Sequence, residues 1–228
     1  PVADNKEPIV AIGTDKEVDD PSIEVYFKQD ATPDSEKNNV GYLASQYMTS
    51  MITSMLNARL SELTQSANPP FTRAYSSYGN FFVAKTKEAL NLSASSKADG
   101  IEKALKVLLQ EAERARRFGF TESEYARARA NYLQRLESAY NEREKTKHGS
   151  YVREYVRNFL DAEPIPGIET EYAMMNQLAP NLPVQAINMA IQQLVPDSNQ
   201  VVIIAGPEKE GLKYPQKEEV IALLKGMK

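Results

Sequence analysis

Between Leu43 and Leu63 the apolar residues Tyr47, Met51, Met55, Leu56 and Leu60 recur mostly three or four positions apart, which predicts one long amphipathic helix. Thr32-Pro33-Asp34-Ser35 precedes it and Asn68-Pro69-Pro70 is expected to end it. Upstream the period is two. Residues 9–18 and 23–28 read as strands joined at Asp19-Asp20-Pro21, an opening hairpin whose second strand alternates Ile23, Val25 and Phe27. Residues 72–95 read as two or more further strands around Gly79-Asn80, with Tyr75, Phe81, Phe82, Val83, Leu90 and Leu92 as strand-compatible side chains. From Asp99 the helical period returns. Asp99 with Glu102 reads as a capping box, and Ile101, Leu105, Leu108, Leu109 and Ala112 form one apolar face. Gly119 can adopt positive φ just past Phe118 and end that helix, while Thr121 with Glu124 is a second capping box. Tyr125, Tyr132, Leu136 and Tyr140 carry the stripe onward. Residues 151–160 place Val152, Tyr155, Val156, Phe159 and Leu160 in a tight apolar stripe that Pro164 and Pro166 end. Shorter helices over 169–178 and 183–194, a buried strand over 201–205 and a last helix after Pro215 complete the pattern.

The order β-β-α-β-β, helices, β-α segregates strands from helices. It predicts an α+β fold with an antiparallel or mixed sheet carrying helices largely on one face. No internal repeat or long biased linker divides the chain, so residues 1–228 read as a single domain. A composition of 42% hydrophobic and 25% charged residues is ordinary for a globular chain able to bury a core. Residues 111–148 interleave seven acidic with nine basic side chains, so pairs such as Glu113 with Arg117 fit solvated helix faces. A nucleic-acid partner would need a more one-sided basic stripe, and the net charge of −4 also weighs against one. No run of about 18 apolar residues is present, so no membrane span is expected. The start PVADNKEP, without methionine, suggests a piece excised from a longer polypeptide. Its compartment stays open.

Cysteine is absent, which excludes disulfides and thiolate sites, and His148 is the one histidine. A catalytic zinc site needs about three protein ligands and an open position for water, which this inventory does not supply. His148, followed by Gly-Ser-Tyr-Val before an expected helix break at Gly149, reads as a solvated loop or helix-end residue. A serine nucleophile would lack the usual histidine and G-x-S-x-G elbow, though a Ser-Lys pair stays open. Asp19-Asp20, Glu122 with Glu124, and Glu218-Glu219 sit at a turn or in first helical turns, where carboxylates are structural. Gly206-Pro207 lacks the pattern of a phosphate loop. No catalytic residue, metal ligand or cofactor is therefore expected in this chain. Met48, Met51 and Met55 read as core, with an adaptable peptide-binding face as the alternative. Peptide held by strand addition at an open sheet edge would leave little trace in the side chains.

The turn Gly119-Phe120-Thr121 with Glu124-Tyr125 and Arg127-Ala128, after a helix ending E-R-x-R, resembles the M16 (pitrilysin/insulinase) zinc peptidases, in their non-catalytic domain. The resemblance extends to MLNARLSEL with Asn68-Pro69-Pro70-Phe71, to NFLDAEPIPGIE at 158–169 and to VVIIAGPEKEG at 201–211, covering most of the chain. It implies an M16 peptidase-like fold and a catalytically inert domain that forms part of a substrate chamber and contacts a zinc-bearing domain of the same or a partner chain. Zinc, base and nucleophilic water would come from that neighbour through its inverted H-x-x-E-H motif, and peptide would be the substrate. A parent that is periplasmic or secreted fits the resemblance. The alternative it implies is a scaffold or interaction domain whose parent has lost catalysis. In the family an R-x6-Y pair holds substrate. Arg59 is the match here as a candidate substrate-binding residue, but Ser66 stands where the tyrosine would be, and Phe71 or Tyr75 come nearest by insertion. A structural ion pair is the other reading of Arg59.

Overall fold

Strand β2 (Ser22–Asp30) organises the sheet, because its alternating Ile23 and Val25 find apolar partners on both sides and Phe27 finds Leu90 on one. In this computed structural model, which describes residues 2–145 and 148–227, β1 (Ile9–Asp15), β3 (Arg73–Asn80), β4 (Lys87–Ser95) and β5 (Gln200–Pro207) complete a five-stranded sheet of order β1-β5-β2-β4-β3. The expected opening hairpin does not form. The C-terminal strand β5 lies between β1 and β2, parallel to the first and antiparallel to the second. Val25 sits opposite Leu92 on one side and Val202 on the other, and β1 joins through Val10, so an apolar row runs over four strands and stops at Ser76 of β3. Pairing β1 directly with β2 would leave the Val/Ile run of β5 without a place in the sheet centre.

Seven helices follow the predicted order: α1 (Val40–Thr64), α2 (Ile101–Phe118), α3 (Glu122–Asn141), α4 (His148–Asp161), α5 (Ile168–Asn181), α6 (Val184–Leu194) and α7 (Lys217–Gly226). The apolar face of α2, with Ile101, Leu105, Leu108 and Leu109 all buried, packs on β2 and β4, while α1 and α6 close the layer beside it. Met51 and Met55 belong to that core and Met48 packs against it. Two buried phenols meet there. Tyr47 and Tyr125 share a hydroxyl contact of 3.1 Å, and Tyr125 also donates to the carbonyl of Leu182 at 2.9 Å, so neither hydroxyl is stranded in the apolar layer.

Local capping departs from the sequence reading in places. Thr121 and Glu124 form their capping box, but α2 begins after Gly100 with no side-chain cap, so the box expected from Asp99 and Glu102 is absent. Helix α1 stops at Thr64, before Asn68-Pro69-Pro70, because Thr64 and Ser66 hydroxyls take up the carbonyls of Ser61 and Leu63 and draw the chain into a turn. Gly149, expected to break a helix, lies in the first turn of α4. No helix among the described residues is long and apolar enough to cross a membrane.

Candidate functional site

Among the described residues no group of three or more His, Asp or Glu side chains could hold a metal ion, and the side chain of His148 lies outside them. The donor set therefore does not fit a zinc site. The paired carboxylates serve the backbone instead: Glu124 caps α3 and Glu219 caps α7 through Gln216.

Arg59 projects from the C-terminal half of α1 into the junction between α2 and α3. Its Nε donates to Glu124 Oε1 at 2.6 Å, Nη2 to Glu124 Oε2 at 3.1 Å and to the Gly119 carbonyl at 3.0 Å, and Nη1 to Glu111 at 3.1 Å. The guanidinium also stacks over the Phe120 ring, 4.7 Å from its centroid. The bond from Arg59, helped by the Thr121 amide and hydroxyl, holds the Glu124 carboxyl down at about 2 against the cost of partial burial. Gly119 takes φ of 66°, and a Cβ there would overlap the carboxamide of Asn188. That carboxamide accepts from the Phe120 amide at 2.8 Å and donates to the Phe120 carbonyl at 3.1 Å. The partners of Arg59 thus come from residues 111–124. Phe71 is in the core, and Tyr75 is 53% exposed on the far face of the sheet, so no tyrosine is brought to Arg59 in the way an R-x6-Y pair would require.

The far face of the sheet carries polar groups. Glu24 accepts from Asn91 Nδ2 at 2.8 Å and from the Ser93 hydroxyl at 3.0 Å, beside Tyr26 and Tyr75. At one end the N-terminal segment crosses over it: Lys28 donates to the Ala3 carbonyl at 2.7 Å, and Lys87 bridges Asp4 and Asp30. The outer edge is β3. There the carboxamide of Asn57 pairs with the backbone of Ser76, accepting its N–H at 2.6 Å and donating to its C=O at 2.9 Å, as a neighbouring strand would. By the two-residue period of a strand, Tyr78 and Asn80 present their backbone groups outward on the same side. They meet a cavity of about 420 Å³ lined by Tyr42, Ser45, Thr49 and Thr53 of α1 and by Glu88. Tyr78 donates its hydroxyl to Glu88 at 2.8 Å, and burial together with that carboxylate pushes the phenol pKa up.

Asn57 and Asn188 carry no signal in the sequence, since each amide serves a backbone 19 or 68 residues away. The β3 edge likewise leaves no mark in the side-chain pattern, because its outward groups belong to the backbone.

The family description "Peptidase M16 inactive domain" matches residues 1–132. An 81-residue stretch is 35% identical to a "Zinc protease PQQL-like" protein of Arabidopsis thaliana, covering 36% of this chain and 8% of that protein. Among solved structures, the periplasmic protease PqqL of Escherichia coli superposes with a TM-score of 0.87 at 19% identity, covering 100% of this chain and 25% of that one. The first half of PqqL, solved separately, gives 0.83 at 18% identity, covering 100% of this chain and 48% of that one. The chain therefore spans a minor part of the length of each of these relatives.

Proposed function

Because the chain belongs to the peptidase M16 inactive-domain family, we propose that it is a catalytically inert wall of an M16 peptidase chamber, apposed to a zinc-bearing domain that performs the hydrolysis. The observation that carries this reading is the polar face of the sheet, opposite the layer of α1, α2 and α6, where Glu24, Asn91 and Ser93 cluster beside Tyr26 and Tyr75 and the sheet ends at the β3 edge. Such a face suits a hydrated enclosure for peptide, and the outward backbone of Tyr78 and Asn80 suits main-chain pairing with an extended segment. Zinc, when bound in the neighbour, would polarise the scissile carbonyl and supply the nucleophilic water. This chain contributes confinement and backbone contact. Arg59 supports the wall from behind in this reading, since four of its donor contacts already go to Glu111, Glu124 and Gly119.

The test is reconstitution. The isolated chain should retain no stoichiometric zinc after dialysis and cleave no peptide, while adding it to a zinc-bearing M16 domain from the same polypeptide should raise that domain's peptide hydrolysis. Cleavage by the repurified chain alone, or no effect on the partner, sinks the proposal. Association with a partner domain that has no H-x-x-E-H motif and no hydrolysis would favour the scaffold alternative.

A further inference from the structure

Helix α4 is amphipathic and stands in solvent with its apolar stripe uncovered. Val152, Tyr155, Val156, Phe159 and Leu160 follow the spacing of one helix face, yet they are 57%, 63%, 48%, 87% and 48% exposed. The contacts that tie this helix to the molecule are polar. Arg157 donates to Glu163 at 2.9 Å and Asn158 to the Glu163 carbonyl at 2.6 Å, while Lys37 and Lys85 reach the carbonyls of Asp161 and Leu160 at 2.6 and 2.7 Å. Glu154 faces Glu171 of α5, whose carboxyl is pushed up by burial and then by that neighbouring charge. Arg157 and Asn158 are exposed as well, so neither side of the helix is packed down, although burying five such apolar side chains is worth about 1.5–3 kcal/mol each. The Lys85 bridge also sets the β3–β4 hairpin tip beside the end of α4, with Val83 98% exposed there while Phe82 packs on the Tyr26 ring.

We propose that the uncovered stripe of α4, extended by the hairpin tip, is the surface on which this domain docks a zinc-bearing M16 domain. The inference rests on the chamber-wall reading and assigns it a location. Five large apolar side chains bare on one helix form the kind of contiguous patch that marks an interaction surface, and a standard interface takes roughly 800 Å² from each partner. The size of the relatives points to the occupant: this fold fills 48% of the first half of PqqL, so that polypeptide carries a further segment of similar length. A bilayer is disfavoured by the chain's net charge of −4, since Glu154 and Asp161 offset Arg153 and Arg157 on this helix and leave it no basic excess.

The test titrates the 228-residue chain, by calorimetry, against a zinc-bearing M16 domain from the same polypeptide. Phe159→Glu and Val156→Ser change exposed positions, so both should keep the thermal midpoint of the wild type, and Phe159→Glu should weaken association about thirtyfold or more. Wild-type binding with both variants unchanged overturns the assignment to α4 while leaving the pairing intact. Failure of the wild type to bind overturns the pairing itself. A wild-type dimer by light scattering that becomes monomeric on Phe159→Glu, or sedimentation with phosphatidylglycerol vesicles lost in the same variant, with the zinc-bearing domain bound equally by both chains, would replace the proposed occupant.

Discussion

Arg59, Glu124, Gly119 and Asn188 together decide how three helices and one turn meet, and each can be tested alone. Arg59 is buried between two carboxylates, so Arg59→Ala should cost about 3 kcal/mol in urea unfolding, much of it from the acids left without their cation. Glu124 sets a pH dependence. Its carboxyl is held below the ordinary 4.5, at about 2, so its contribution is present in full above 4.5 and is lost as pH falls through 2. The urea midpoint of the wild type should therefore fall more between pH 5 and pH 2 than that of Glu124→Gln, by a difference equivalent to about 2 kcal/mol. Equal slopes would show that the pair contributes nothing to folding. Gly119→Ala should cost about 2 kcal/mol, because the left-handed backbone disfavours a side chain and Asn188, tied by two bonds, has no room to withdraw. Gly119 and the Thr121–Glu124 box were legible in the sequence, since both act within four residues. Arg59 was legible as a candidate but not in its partners, which lie 52 and 65 residues away.

At the scale of elements, periodicity located the helices well and said nothing about which way each would face. The stripe of α2 and that of α4 look alike in sequence. One is buried on the sheet and the other stands in solvent. The difference arises because the sheet offers a limited apolar face, already filled by α1, α2 and α6, and because Lys37 and Lys85 tether α4 by the carbonyls at its C-terminal end. The β3 edge is equally invisible to pattern reading. Asn57→Ala should remove the side-chain substitute for a neighbouring strand, costing about 1 kcal/mol and speeding hydrogen exchange at the Ser76 amide. Asn80→Pro removes an outward N–H without breaking the ladder to β4, so the fold should survive while binding of an extended peptide to the reconstituted pair weakens. Unchanged peptide affinity in Asn80→Pro would rule out main-chain pairing at that edge.

The whole molecule is closed by its C-terminal strand. A chain ending at residue 196 would lose β5 and α7 and leave β1 without a partner, so it should show no cooperative thermal transition, whereas loss of α7 alone should leave a weakened one. A cooperative transition in the shorter chain would mean that β1 and β2 can pair directly after all. By itself the sequence determined the kinds of elements, their order, the α+β class and the poverty of ligands, because propensity, capping and residue inventory are local or merely counted. Only the tertiary structure decided that β5 enters between the first two strands, that Arg59 is enclosed, that the β3 edge meets a cavity and that the apolar stripe of α4 is left uncovered. Those outcomes depend on contacts between residues far apart in the chain competing for one shared apolar surface, and no local window contains that competition.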